Sequence, residues 1–132
     1  MTIWFLRLGV LYLLVGVGMG MHMAATHNFT LMPVHAHINL IGWVGSTLMW
    51  LVYRARPEIA SNLLAKANFV LMHISLPVMA VSLAQLLKGN QAIEPVVALS
   101  SAGFALAALC FAINIWRSDA KAIAAATTSV IS

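Results

Sequence analysis

Pro33-Val34-His35-Ala36-His37-Ile38-Asn39-Leu40-Ile41-Gly42-Trp43-Val44-Gly45-Ser46-Thr47-Leu48-Met49-Trp50-Leu51-Val52-Tyr53 contains no Asp, Glu, Lys or Arg. About 20 apolar residues in a helix cross the roughly 30 Å hydrocarbon core of a bilayer. Three further stretches share this character, from about Ile3 to Met23, from Pro57 to Leu87 and from Gln91 to Trp116. All are continuously apolar rather than alternating, which argues for helices and against the strands of a barrel. The 132 residues are 62% hydrophobic and 8% charged, too few charges to give a soluble domain its surface. The expected fold is therefore all-α, an integral membrane four-helix protein of up-down topology. One transmembrane domain is expected over residues 1–118, followed by a C-terminal tail over 119–132.

The ends of these runs carry helix punctuation. Pro33 and Pro57 stand where a first-turn proline costs nothing, because that N–H has no partner within the helix. Gly89-Asn90 is a stop after the third run. The first run, followed by Ala24-Ala25, has the general form of a signal peptide, but Arg7 lies inside it rather than in a charged leader. It reads as a helix. The tail is rich in alanine and threonine and is expected to be a short surface helix or unstructured.

Net charge is +4. The basic residues flank apolar runs, so they read as topology signals, and no nucleic-acid partner is expected. Arg7, Arg54, Arg56, Lys66, Arg117 and Lys121 fall on one side, with Lys88 on the other. The positive-inside rule then places both termini and the second loop in the cytoplasm of a bacterial-type inner membrane. The first loop, around Ala25 to Met32, and the short third loop face outward. Cys110 lies deep in an apolar segment, so neither a disulfide framework nor a thiolate cluster is expected.

The five histidines are His22, His27, His35, His37 and His73. Four of them fall near the outer surface. A tight hairpin at about Ala55 to Pro57 would set His37 seventeen residues above Arg54 and His73 sixteen above Pro57. At 1.5 Å per residue the heights are about 26 and 24 Å, which predicts that the two rings lie at one level. Helix phase puts His35 on a stripe with Asn39, Gly42, Ser46 and Tyr53, small and polar like a bundle interior in lipid. His73 shares a stripe with Lys66, Pro77, Ala80 and Ala84. His37 lies about 200° from His35, with Ile41, Val44 and Leu48, toward lipid, a bulky apolar cofactor or a neighbouring subunit.

A neutral imidazole is the form that ligates iron or copper, and an ionisable side chain inside a membrane is costly. His37, His73, His35 and His22 are accordingly the candidate cofactor ligands, with His27 added for a metal ion. The competing reading is that these rings are interfacial or hydrogen-bond across helices. Met19, Met21, Met23 and Met32 surround the outer histidines, and thioethers with imidazoles suit Cu(I), which makes copper the alternative. Gly16 and Gly20 form a GxxxG pattern, and Gly103 with Ala107 is small-xxx-small. Both suit close helix contact within or between subunits. Trp43, Trp50 and Trp116 are candidate interface anchors, and Asn39, Asn68, Gln85 and Asn114 are candidate interhelical hydrogen bonders.

The run Pro33-Val34-His35-Ala36-His37-Ile38-Asn39-Leu40-Ile41-Gly42-Trp43 resembles the catalytic subunit of haem-copper oxidases and nitric oxide reductases. In that family a histidine near the outer end of the second helix, often in an H-x-N context like His37-Ile38-Asn39, ligates a low-spin haem. A later H-x-H pair serves two haems, and His35-Ala36-His37 is similar. The whole chain resembles small four-helix proteins described as cytochrome oxidase subunit I-like, including Leu71-Met72-His73-Ile74-Ser75-Leu76-Pro77-Val78-Met79. The resemblance implies b-type haem, electron transfer or diatomic gas binding, and Asn39, Trp43 and Ser75 as groups that orient rings and tune potential. The large family builds its reaction site on a much longer chain. This one lacks the adjacent histidine pair and the tyrosine-linked histidine of a copper centre. No complete oxidase or reductase site is therefore expected in one protomer, and whether it is an enzyme is open. The large fold has pseudo-threefold arcs of four helices, so a homo-oligomer, trimer or dimer, is the expected assembly by analogy. A redox partner is not identified by the sequence. A cofactor-free assembly subunit is the remaining alternative.

Overall fold

The computed structural model describes residues 1–131, with side chains through residue 120. Four helical rods make up the fold. Helix α1 is Thr2–Thr26. Helix α2 occupies residues 32–55 in three continuous parts: an α-helical turn and a half, Met32–His37, a π-helical segment, Ile38–Gly45, and a second α-helical part, Ser46–Ala55. Helix α3 is Leu63–Leu87, and α4 is Glu94–Ile131. Among the described residues there is no strand. Three helices are long and apolar enough to cross a membrane: Thr2–Thr26, Leu63–Leu87 and, within α4, Gln91–Ala120 with its leading 3-10 turn. The backbone continues helical beyond Asp119 to Ile131, so the expected separate tail is an extension of α4.

Each boundary has a local cause. Pro33 occupies the first turn of α2. His27 ends α1 in the left-handed region, φ 52°, with its backbone N–H on the Ala24 carbonyl. Asn62 caps α3, its side-chain oxygen accepting from the Ala65 N–H at 2.9 Å. That cap moves the start of the third span. The chain leaves α2 at Ala55, makes a 3-10 turn at Pro57–Ile59 and becomes helical again only at Leu63. The expected tight hairpin at Ala55 to Pro57 is therefore replaced by a longer connection.

Helices α1 and α2 pack as one antiparallel pair, α3 and α4 as another. The largest buried side chains between the pairs lie at the end that carries the N-terminus. There Phe5 is fully buried against Tyr53, Phe69 and His73, and Tyr53 meets Phe111 edge-on. Asn68, also fully buried, donates to the Ala107 carbonyl at 2.9 Å and accepts from the Tyr53 hydroxyl at 3.3 Å. Asn114 donates to the Ile59 carbonyl at 3.0 Å. In a medium without water these bonds satisfy groups that would otherwise be orphaned. At the same end Arg56 pairs with Asp119 at 2.7 Å and Glu58 at 3.2 Å, and donates to Ser118. The bond to Asp119, then that to Glu58, raises the Arg56 guanidinium above its ordinary pKa.

The outside of the molecule is apolar. Leu14, Leu40, Ile74 and Leu99 are each more than 60% exposed, and they lie on four different helices. Aliphatic side chains at this density are solvated by lipid far better than by water. Arg7 lies over the Trp4 ring at 5.0 Å and Arg54 over Trp50 at 5.2 Å, both at the end holding the N-terminus.

Candidate functional site

The outer half of α2 carries His35, His37 and Asn39, and the π-helical segment begins immediately after His37. In a π-helix each N–H bonds the carbonyl five residues back, so the turn is wider and each residue rotates less than in an α-helix. The consequence is visible in burial: Val34, Ile38, Gly42 and Ser46 are all buried, at a strict spacing of four. In a regular α-helix that spacing would drift around the rod. The wider turn keeps the four on one continuous face.

His35 and Asn39 face α1. His35 Nδ1 donates to the Gly16 carbonyl at 2.9 Å, and the Asn39 carboxamide donates to the His35 carbonyl at 3.0 Å and lies over the ring. A methyl group on Gly16 would collide with the Asn39 side chain, and one on Gly20 would come within 3.1 Å of His35 Cε1. The GxxxG pattern is thus a seat for His35 and Asn39. Gly18, on another face, has nothing near it.

His37 faces away from α1. Its Nδ1 donates to the Pro33 carbonyl one turn back, at 2.7 Å. Of the residues expected to share its direction, Val44 and Leu48 are exposed but Ile41 packs against the core, because the π-helical segment between them changes the phase.

His73 is in a different place. Its ring contacts Phe69 edge-on at 4.6 Å, Phe5 at 5.4 Å and Tyr12 in a parallel stack at 5.8 Å, while the Tyr12 hydroxyl and Nδ1 share a hydrogen bond at 3.3 Å. Its Nε2 is buried with no hydrogen-bond partner. The expectation of a common level with His37 fails. Val34 and Ile38, on either side of His37, line a groove with Ala80, Val81 and Ala84 of α3, whereas Gly45 approaches Met72. His73 is thus seven or more residues deeper along α3, roughly 10–15 Å at 1.5 Å per residue. The cause is the late start of α3 at Leu63, which leaves His73 ten residues into its helix rather than sixteen. Its expected stripe is also not the buried one. Lys66 and Pro77 are exposed, and α3 buries Ala65, Asn68, Met72, Ser75, Leu76, Met79 and Ser82.

The remaining candidates scatter. His22 is exposed and borders a cavity of about 460 Å³ with Met23, Asn28, Thr30, Leu31, Leu87 and Lys88. His27 is the exposed cap of α1. Trp43 packs at Gly9, well below His37, and Ser75 sits against Gly103 of α4, so neither adjoins His37. Asn39 orients His35. Among the described residues no three His, Cys, Asp or Glu side chains are placed to hold a metal ion together. Tyr12, which contacts His73, and Gly9, against which Ser46 and Trp43 pack, are residues that the sequence reading did not single out. No family model, curated protein or solved structure matches the chain.

Proposed function

We propose that the chain is an integral protein of a bacterial-type inner membrane, both termini cytoplasmic, that binds b-type haem through His37 near the outer surface. His37 of a second copy of the chain would complete the ligand set. The observation that carries this reading is the bond from His37 Nδ1 to the Pro33 carbonyl. Histidine ligands characteristically donate their other ring N–H to a carbonyl or carboxylate, which fixes the tautomer and leaves the Nε2 lone pair for iron. His37 meets that condition from a partly exposed position near the outer end of α2. His35 is committed to Gly16 and Asn39, and His73 lies too deep to share a ligand with His37. Two copies of one outward histidine remove the need for both ligands to come from adjacent helices of one protomer, whose axes stand only about 8–10 Å apart. Haem, when bound, would supply one-electron redox chemistry.

The test is the visible spectrum of detergent-purified protein, oxidised and then dithionite-reduced. A Soret band with split α and β bands on reduction supports the proposal. A colourless protein that stays colourless after reconstitution with haem overturns it, and stoichiometric copper by elemental analysis would replace haem with the copper alternative.

A further inference from the structure

Two cavities at the histidine-bearing end of the bundle share one residue, Lys88. The cavity of about 460 Å³ bordered by His22 is polar, with Asn28, Thr30 and Lys88 in its wall. The second, of about 370 Å³, is a groove that leads from Lys88 toward the middle of α3. Ala80 and Ala84, one turn apart on α3, form one wall, Val34 and Ile38 of α2 the other, with Met19 of α1 beside them. Val34 and Ile38 are buried, whereas Val81 at the margin is 61% exposed, so the groove opens sideways to lipid. Alanine at 80 and 84 keeps it open, where the nearby Val81, Leu83 and Leu87 are larger.

The charge at the junction is uncompensated. No Asp or Glu lines either cavity. Both ion pairs of the described residues belong to Arg56, at the other end of the molecule, so Lys88 has no carboxylate partner among them. The carbonyls beside it do not need its ammonium, because those of Gln85 and Leu86 already accept from the backbone N–H groups of Lys88, Gly89 and Asn90. The side-chain oxygens are engaged as well. Gln85 Oε1 accepts from the Asn90 carboxamide at 3.3 Å, and Asn28 Oδ1 from the Thr30 N–H at 3.0 Å. What is left over is donor capacity: the ammonium, the carboxamide N–H groups of Asn28 and Gln85, and the Thr30 hydroxyl.

A lysine with surplus donors around it selects an anion with several acceptor oxygens, and phosphate is the common one. An apolar groove that continues from the same lysine selects a hydrocarbon chain on the same molecule. Each cavity falls within the roughly 300–1,000 Å³ of ligand sites. We propose that the two cavities form one phospholipid site, with the phosphate on Lys88, Asn28 and Thr30 and one acyl chain between Ala80 and Ala84 of α3 and Val34 and Ile38 of α2. A lipid against the smooth outer face of a helix exchanges freely, whereas one seated between three helices with its phosphate on a lysine is retained. The site requires only that the chain lies in a bilayer. It is independent of haem at His37 and of which leaflet meets this end.

The experiment is native mass spectrometry of the full chain in detergent, titrated with phosphatidylglycerol and, separately, with inorganic phosphate. The expected result is one phospholipid per chain. Its affinity is expected to fall about tenfold or more in Lys88→Gln, the scale for losing a charge-assisted bond. Ala84→Leu, whose side chain enters the groove, is expected to weaken binding as well, and Ala84→Ser to leave it unchanged. Lys66→Gln, at an exposed lysine near the other end of α3, is expected to bind like the parent. No retained phospholipid, or binding unchanged in Lys88→Gln or in Ala84→Leu, overturns the site. An equal loss in Lys66→Gln overturns it too, as does inorganic phosphate binding as tightly as the lipid.

Discussion

Single atoms decide how closely α1 and α2 approach. Gly16 accepts the Asn39 side chain and Gly20 the edge of His35, whereas Gly18 faces open space two residues from each. Adding a methyl group therefore has opposite consequences at neighbouring positions. Gly16→Ala is expected to lower stability by about 1–3 kcal/mol through overpacking, and Gly18→Ala to leave it unchanged, read by unfolding in mixed micelles. Equal effects of the two substitutions would remove the seat described for His35 and Asn39. Asn68 is the corresponding polar residue on α3, bonded to Tyr53 and to the Ala107 carbonyl. Asn68→Leu is expected to cost about 1 kcal/mol, the usual scale for an interhelical bond whose unfolded reference also finds partners. The same unfolding assay checks it, with Asn28→Leu in the exposed first loop as the reference substitution.

At the scale of elements, the π-helical segment sets which residues of α2 look inward. Deleting Leu40, which is exposed, would let the rod relax toward α-helical bonding and rotate everything before it by about 100°. His35 and Asn39 would then leave Gly16 and Gly20. The deletion is expected to destabilise the protein at least as much as Gly16→Ala, and a deletion variant as stable as the parent would show that the wide turn does not hold this register. How much of this was legible in the sequence follows from the physics of each signal. Four apolar runs and their proline and glycine stops announce four helices, and the stripe of His35, Asn39, Gly42 and Ser46 announces the face toward α1. The start of α3 was also written there, as Asn62 three residues before Ala65, but the proline at 57 drew the boundary to itself. That six-residue displacement alone moved His73 away from the level of His37. The π-helical segment has no compositional mark. Gly42 within it lets Tyr12 and Leu76 come close, and periodicity reasoning at a fixed 100° cannot detect the wider turn.

For the whole molecule, two antiparallel pairs meet through a dense aromatic and asparagine layer at one end, and toward the histidine-bearing end α2 and α3 approach through Val34, Ile38 and Gly42. The basic residues Arg7, Arg54, Arg56 and Arg117 cluster at the dense end, while Lys88 stands at the other. Cysteine accessibility then has a definite expectation. A cysteine placed at Asn28 is labelled by a membrane-impermeant maleimide from outside intact cells, and one placed at Glu58 is labelled only after lysis. The reverse pattern would invert the proposed orientation and put His37 on the cytoplasmic side. His27 caps a helix, His35 binds α1 and His73 lies in the interior, so the proposed ligand is His37, with the exposed His22 the remaining candidate. The most direct measurement of that assignment is haem content per chain, by reduced visible spectrum, in His37→Ala and His73→Ala purified side by side. The expected outcome is loss of the split α and β bands in His37→Ala and their retention in His73→Ala. Full haem in His37→Ala, or loss confined to His73→Ala, would contradict it.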